Sequence, residues 1–136
     1  MGEPDQSSRQ QPSEEMLALW AKVFDFARDG ETETLGAYID AGIPANLTND
    51  SGDTLVMLAA YHGYAETVNA LLAREADPNR LNDRGQSPIA GAVFKGEPDV
   101  VRALLAGGAD PDIGHPTAVE TARMFDNQEM LTLLRP

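Results

Sequence analysis

The chain contains no cysteine. That excludes disulfide staples, thiolate metal sites and thiol chemistry, and it fits a reducing compartment. Basic side chains are scarce: 10 Lys and Arg against 22 Asp and Glu give a formal net charge of −12 at pH 7. Nucleic-acid binding relies on Lys and Arg displacing counterions from phosphates, so direct DNA or RNA binding is not expected. The two histidines, His62 and His115, lie far apart in sequence. With no soft donor beside them they cannot assemble the three or four protein ligands of a zinc site. No stretch approaches the roughly 18 apolar residues that span a bilayer, so no membrane partner is expected. The opening residues Met1-Gly-Glu-Pro-Asp-Gln-Ser-Ser lack a basic n-region and an apolar h-region, and a secretory signal is not expected there. Gln6 stands where the myristoylation pattern needs Ser or Thr. A soluble, cytoplasmic protein is the expectation, and Asn46-Leu-Thr48 then reads as loop residues rather than a glycosylation acceptor.

Motifs of catalysis are also missing. There is no Gly-x-Ser-x-Gly, no phosphate loop and no dinucleotide fingerprint, and Gly91-Ala-Val-Phe-Lys-Gly96 has a lysine among glycines in the wrong order. Asn49-Asp-Ser-Gly-Asp53 gathers oxygen ligands but lacks the glycine and distant glutamate spacing of a calcium loop. Asp110 and Asp112 fall in a loop, where burial would not raise their pKa. The sequence points to a protein without catalytic, metal-binding or cofactor-binding residues.

What the chain does have is a period. A frame of 33 residues aligns Gly30 with Gly63 and Gly96, Leu35 with Val68 and Val101, and Tyr38 with Leu71 and Leu104. The two middle copies read Asp50-Ser-Gly-Asp-Thr-Leu-Val-Met-Leu-Ala-Ala-Tyr-His-Gly63 and Asp83-Arg-Gly-Gln-Ser-Pro-Ile-Ala-Gly-Ala-Val-Phe-Lys-Gly96. Each then runs through Leu-Leu to Ala-Asp-Pro, at Leu71, Leu72 and Ala76-Asp-Pro78, and at Leu104, Leu105 and Ala109-Asp-Pro111. A fixed period of this length signals a solenoid. Each unit of a solenoid buries its apolar side on its neighbours, so function must lie on a face of the stack rather than in a central cavity.

Within each unit the pattern reads as helix, short turn, second helix and extended loop. Thr54 and Ser87 are N-caps, and Pro88 and Pro98 occupy first helical positions, where a missing N–H is harmless. Gly63 and Gly96 supply the left-handed residue that ends the first helix. Val68 with Leu71 and Leu72, and Val101 with Leu104 and Leu105, follow helical spacing and face the core. The loops 43–52 and 76–85 combine turn formers at matching positions and are expected to project as two-stranded fingers. Ahead of the first unit, Pro12-Ser13 opens a helix with Glu14 and Glu15 in its first turn, expected to run to about Asp29 and stop at Gly30. It starts about two turns early, and Trp20, the only tryptophan, is read as a packing plug. After Asp110 the frame slips to a spacing of 30, Ala92 corresponding to Ala122 and Val101 to Leu131, so the last loop is shortened. The expected organisation is a flexible tail over 1–12, polar and without apolar periodicity. A repeat domain over 13–136 follows, made of an N-terminal capping unit at 13–49, units at 50–82 and 83–115, and a C-terminal capping unit at 116–136.

These residues resemble the ankyrin repeat, whose pattern includes Gly-x-Thr-Pro-Leu-His-x-Ala-Ala-x-x-Gly and a later Leu-Leu-x-x-Gly-Ala-Asp. Gly52 to Gly63 and Gly85 to Gly96 match it, and Gly107-Gly-Ala-Asp110 matches its tail. The resemblance covers about 16–136 and implies an all-α solenoid of four helix-turn-helix units joined by extended, hairpin-like loops. Thr-Pro-Leu-His becomes Thr54-Leu-Val-Met57, Ser87-Pro-Ile-Ala90 and Thr117-Ala-Val-Glu120. The histidine that commonly bonds between neighbouring loops in the family is therefore absent, which implies weaker coupling between fingers. The resemblance further implies a non-catalytic module that binds another protein, with no cofactor.

In the family, partners usually meet the concave face, built from the finger tips and the exposed positions just before the glycine that ends each first helix. Carried over, those positions give a column of Arg28, Tyr61, Phe94 and Met124, beside it Asp29, His62, Lys95 and Phe125, and on the fingers Asp50, Ser51, Asp53, Leu81, Asp83, Arg84 and Gln86. A solvated helix face should be polar, yet Tyr61 and Phe94 occupy equivalent positions in adjacent units, with Met124 or Phe125 next. At a repeat spacing of about 10 Å they would form an aromatic strip of the composition found in interface hot spots. Packing of the same rings across the unit junctions is the other reading of these positions. Acidic finger tips around an exposed strip select a partner with an apolar centre and a basic rim. The alternative function is an acidic surface mimic that regulates a basic, polyanion-binding protein. A monomer is expected ahead of a homodimer built through the last helix, where Leu131, Leu133 and Leu134 lie.

Overall fold

The computed structural model describes residues 12–136, so the tail expected over 1–12 lies, but for Pro12, outside the described residues. Eight α-helices are present among the described residues, in four antiparallel pairs: α1 (Glu14–Asp29) with α2 (Thr32–Asp40), α3 (Leu55–Tyr61) with α4 (Ala65–Ala73), α5 (Pro88–Lys95) with α6 (Pro98–Ala106), and α7 (Ala118–Met124) with α8 (Gln128–Leu134). The first helices of the pairs pack on one another in the order α1, α3, α5, α7, and the second helices pack as α2, α4, α6, α8. This two-layer stack is the all-α solenoid that the period implies.

Local chemistry sets the helix ends. Ser13, Thr54, Ser87 and Thr117 each accept a hydrogen bond on the side-chain oxygen from the backbone N–H three residues on. Thr117 and Glu120 complete a reciprocal capping box, Glu120 accepting from the Thr117 N–H at 2.9 Å. Pro88 and Pro98 stand in the first turns of α5 and α6. Gly30 ends α1 at φ 70°, and its missing Cβ leaves room for the ring of Tyr64 from the next unit, which a methyl group would strike. Chain reversal and inter-unit packing thus both depend on this glycine.

The core runs along the junction between the two layers. Val23, Leu35, Leu55, Val56, Val68, Leu71, Ile89, Val101, Leu104, Ala122 and Met130 are buried within one continuous cluster. Ala27, Ala60 and Ala92 on the first-layer helices are fully buried within the same cluster. Trp20 packs against the end of this cluster as expected of a plug, although its Nε1–H meets no acceptor among the described residues.

Units are also joined by polar bonds. Asn46 and Asn79, 33 residues apart in the frame, accept on Oδ1 from the backbone N–H of Asp77 and of Asp110, each at 2.8 Å. Thr32 and Thr67 hydroxyls lie 2.6 Å apart, and the Arg74 guanidinium grips Asp40 with two bonds of 2.9 and 3.1 Å. The two-stranded fingers expected from the loops are reduced to a single antiparallel bridge, Thr48 to Thr54. The cause is local: Asn49 accepts from the N–H groups of Ser51 and Asp53, and Asn82 from those of Arg84 and Gln86, so side chains take over bonds that a strand ladder would make.

Candidate functional site

The first-layer helices α3, α5 and α7 carry one face into the core and leave the other beside the fingers. On that second face Tyr61, Phe94, Met124 and Phe125 are 41%, 56%, 66% and 54% exposed. Both features anticipated for these positions are present, since the side chains are exposed and yet make contacts across the unit junctions. The rings are not independent. Phe94 and Phe125 meet edge to face with centroids 5.5 Å apart, and Tyr61 meets His62 in the same way at 5.5 Å. Lys95 places Nζ 4.7 Å from the Tyr61 ring centroid, a cation–π contact that joins two units across the strip.

Between these side chains lies an apolar cleft of about 360 Å³, lined by Tyr61, Phe94 and Met124 together with Met57, Ala90 and Gly91. A second depression of about 330 Å³ adjoins it and shares Met57, Tyr61 and Gln86 as a common wall. Its remaining lining is Leu58 and the polar side chains of Asp53, His62, Asn82 and Arg84. The fold therefore brings seven of the residues selected from the sequence onto two adjoining hollows, namely Asp53, Tyr61, His62, Arg84, Gln86, Phe94 and Met124. Lys95 and Phe125 buttress them through the ring contacts.

The other six selected residues, Arg28, Asp29, Asp50, Ser51, Leu81 and Asp83, stand apart from the hollows. Arg28 is paired with Asp25 at 3.0 Å in the first unit. Asp50 and Asp83 are exposed on the finger tips, and Leu81 is 37% exposed on the second finger. Asp29, in the column beside Arg28, is exposed at the end of α1. Sequence reasoning missed Met57, Ala90, Gly91 and Pro116, which form much of the cleft. The signal was present in the frame. Ala90 and Gly91 stand where the preceding unit has Met57 and Leu58 and the following unit has Glu120 and Thr121.

The fingers that border the site are coupled without the family's histidine. Asn82, buried, donates through Nδ2 to Asp53 Oδ1 at 2.9 Å and to Gln86 Oε1 at 2.8 Å. The same group lies 3.5 Å from the sulfur of Met57, which occupies the histidine position. Backbone bonds extend the link, from Asp83 N–H to Ser51 C=O at 3.0 Å and from His115 N–H to Gly85 C=O at 2.9 Å. No group of three or more His, Asp or Glu side chains among the described residues is placed to hold a metal ion. No helix among them is long and apolar enough to cross a membrane.

Comparison with known proteins agrees with this architecture. A protein of Pseudomonas aeruginosa named as an ankyrin repeat protein is 47% identical over 43 residues, 32% of this chain. The matched segment is 25% of that relative's length, so the likeness concerns repeat units and not the whole protein. The family model of ankyrin repeats, in three copies, matches residues 23–115. With the paired helices, the shared frame and the fingers already described, this match establishes that the chain belongs to the ankyrin repeat family.

Proposed function

We propose that this protein binds another protein through the concave face formed by α3, α5, α7 and the fingers, and that it does so without catalysis. Ankyrin repeats are generally protein–protein interaction modules. The observation that carries the reading to this face is the exposed strip of Tyr61, Phe94, Met124 and Phe125, contiguous over three units and hollowed by an apolar cleft. Large apolar side chains gathered in one patch and rimmed by polar groups mark interaction sites, whereas isolated ones do not. Arg28, Asp50, Leu81 and Asp83 would serve as its rim, and the units 13–49 and 116–136 as caps of the stack. The absence of cysteine suits a reducing, cytoplasmic setting.

Charge gives less support to the mimic of a polyanion. Many carboxylates stand away from the strip, in the first turns of the second-layer helices, as Glu33, Glu66, Asp99 and Glu129 do. There each faces the positive end of a helix dipole and has a local structural role. The deciding experiment is a pulldown from source-cell lysate with wild type and with a Tyr61→Ser/Phe94→Ser variant shown by circular dichroism to be folded. A protein retained by wild type and lost by the variant supports the concave face. Capture of the same basic proteins by both, released by salt, supports the acidic-surface alternative instead.

A further inference from the structure

Gly91 lies in the middle of α5, where glycine costs helix stability and where its φ is not left-handed. Close packing does not require it either. A Cβ built at this position would meet Tyr61 Cδ1 at 3.7 Å, an ordinary contact. The equivalent positions in the neighbouring units carry Leu58 and Thr121. What the glycine does is leave space. With Ala90 beside it, it opens the cleft between Tyr61, Phe94 and Met124.

We propose that this cleft is a socket for one large uncharged apolar side chain on a linear segment of the partner protein, with a basic residue beside that anchor. The proposal rests on the concave-face reading and specifies what the face recognises. The cleft is lined mainly by carbon, and the Ser87 and Thr121 hydroxyls each already make a hydrogen bond. Ser87 Oγ accepts from the Ala90 N–H at 3.1 Å, and Thr121 Oγ1 donates to the Thr117 carbonyl at 2.8 Å. A charged group placed there would lose water and meet no charged partner among the lining residues. Its volume of about 360 Å³ suits a side chain and the adjoining backbone, at the small end of ligand pockets. The basic neighbour follows from the adjoining depression, lined by Asp53 and Arg84, and from the exposed finger-tip carboxylates of Asp50 and Asp83, three carboxylates against the guanidinium of Arg84 and the Lys95 ammonium over Tyr61. None of the three carboxylates is in a salt bridge among the described residues.

The test uses phage-displayed random 12-residue peptides, panned on the full chain. Enriched peptides are then synthesised and titrated by fluorescence anisotropy. The expected result is a set sharing one Leu, Met, Phe or Trp next to Lys or Arg. Binding should fall at least tenfold in Gly91→Leu, which fills the socket, and less in Gly91→Ala. Both variants should keep or raise Tm, because each replaces a mid-helix glycine. No enrichment over uncoated support, or peptides that bind Gly91→Leu as well as wild type, overturns the socket. A wild-type dimer in sedimentation that Gly91→Leu disperses would assign the cleft to a second copy of this chain, and would also overturn it. The two readings fail differently. If only the socket is wrong, Tyr61→Ser/Phe94→Ser still loses the lysate partner while Gly91→Leu retains it. If the concave face is wrong, neither variant loses it.

Discussion

The side-chain amide of Asn82 donates to Asp53 Oδ1 at 2.9 Å, tying the second finger to the first at the border of the exposed strip. The same Asn82 accepts on Oδ1 from the N–H groups of Arg84 and Gln86, so it shapes its own finger while it holds the neighbouring one. Within the family this link is commonly a histidine at the position of Met57. Here an asparagine rooted in the finger takes its place.

Asn82→Ala should therefore destabilise by about 2 kcal/mol, since a buried group with several partners is lost and two backbone donors are left without their acceptor. Urea denaturation would measure the loss. Native-state hydrogen exchange should quicken at Arg84 and Gln86 before the helices are affected, and unchanged exchange at those amides would show that the finger holds its shape without Asn82.

Phe94 separates stability from recognition. It is 56% exposed and its main packing contact is the edge-to-face pair with Phe125, so Phe94→Ser should cost only about 1 kcal/mol of folding stability. The same change should weaken the partner complex by roughly 2 kcal/mol if the ring is an anchor. A variant that fails to fold would return Phe94 to a packing role.

Leu71, 1% exposed between the layers, is the opposite case. Leu71→Ala should cost about 2–5 kcal/mol through lost burial and the cavity left behind. Thermal and urea unfolding should both register it, and a change below about 1 kcal/mol would mean that the junction can collapse onto the space.

The Arg74–Asp40 pair links the second-layer helices of the first two units. Its hydrogen bond is the main cause that holds the Asp40 pKa below the ordinary value of 3.8. A carboxyl with a lowered folded-state pKa contributes stability above its unfolded value and loses it as pH falls through the folded one. The stability difference between wild type and Arg74→Met should thus be full above the ordinary carboxylate range and shrink below pH 3.8. Paired urea titrations at neutral and acid pH would show this, and a difference independent of pH would assign the role of Arg74 to packing. The pair is solvent-exposed, and the effect should be small and weakened by salt.

Capping gives a last check. Thr117→Ala removes one half of the box with Glu120 at the start of α7 and should cost about 1 kcal/mol. Thr117→Ser should restore most of it, because the hydroxyl is what the Glu120 N–H requires.

The sequence by itself determined the helices, their ends and their order. Periodic leucines and valines, Thr54 and Ser87 as caps and left-handed glycines such as Gly96 act within a few residues, so their spacing carries the information. It also marked Tyr61, Phe94 and Met124 as equivalent positions, because a repeat places equal offsets on one face. Tertiary structure decided the rest. Whether those rings stand free or fill a junction depends on the volumes that meet there, and only the stacked units show Ala90 and Gly91 leaving a cleft among them. Likewise Asn82 reads as a turn residue in sequence, and its bond to Asp53 exists because the stack brings a group 29 residues away within reach. Local chemistry is written in adjacent residues, whereas cavities and cross-unit bonds arise from distances that close only when the chain packs.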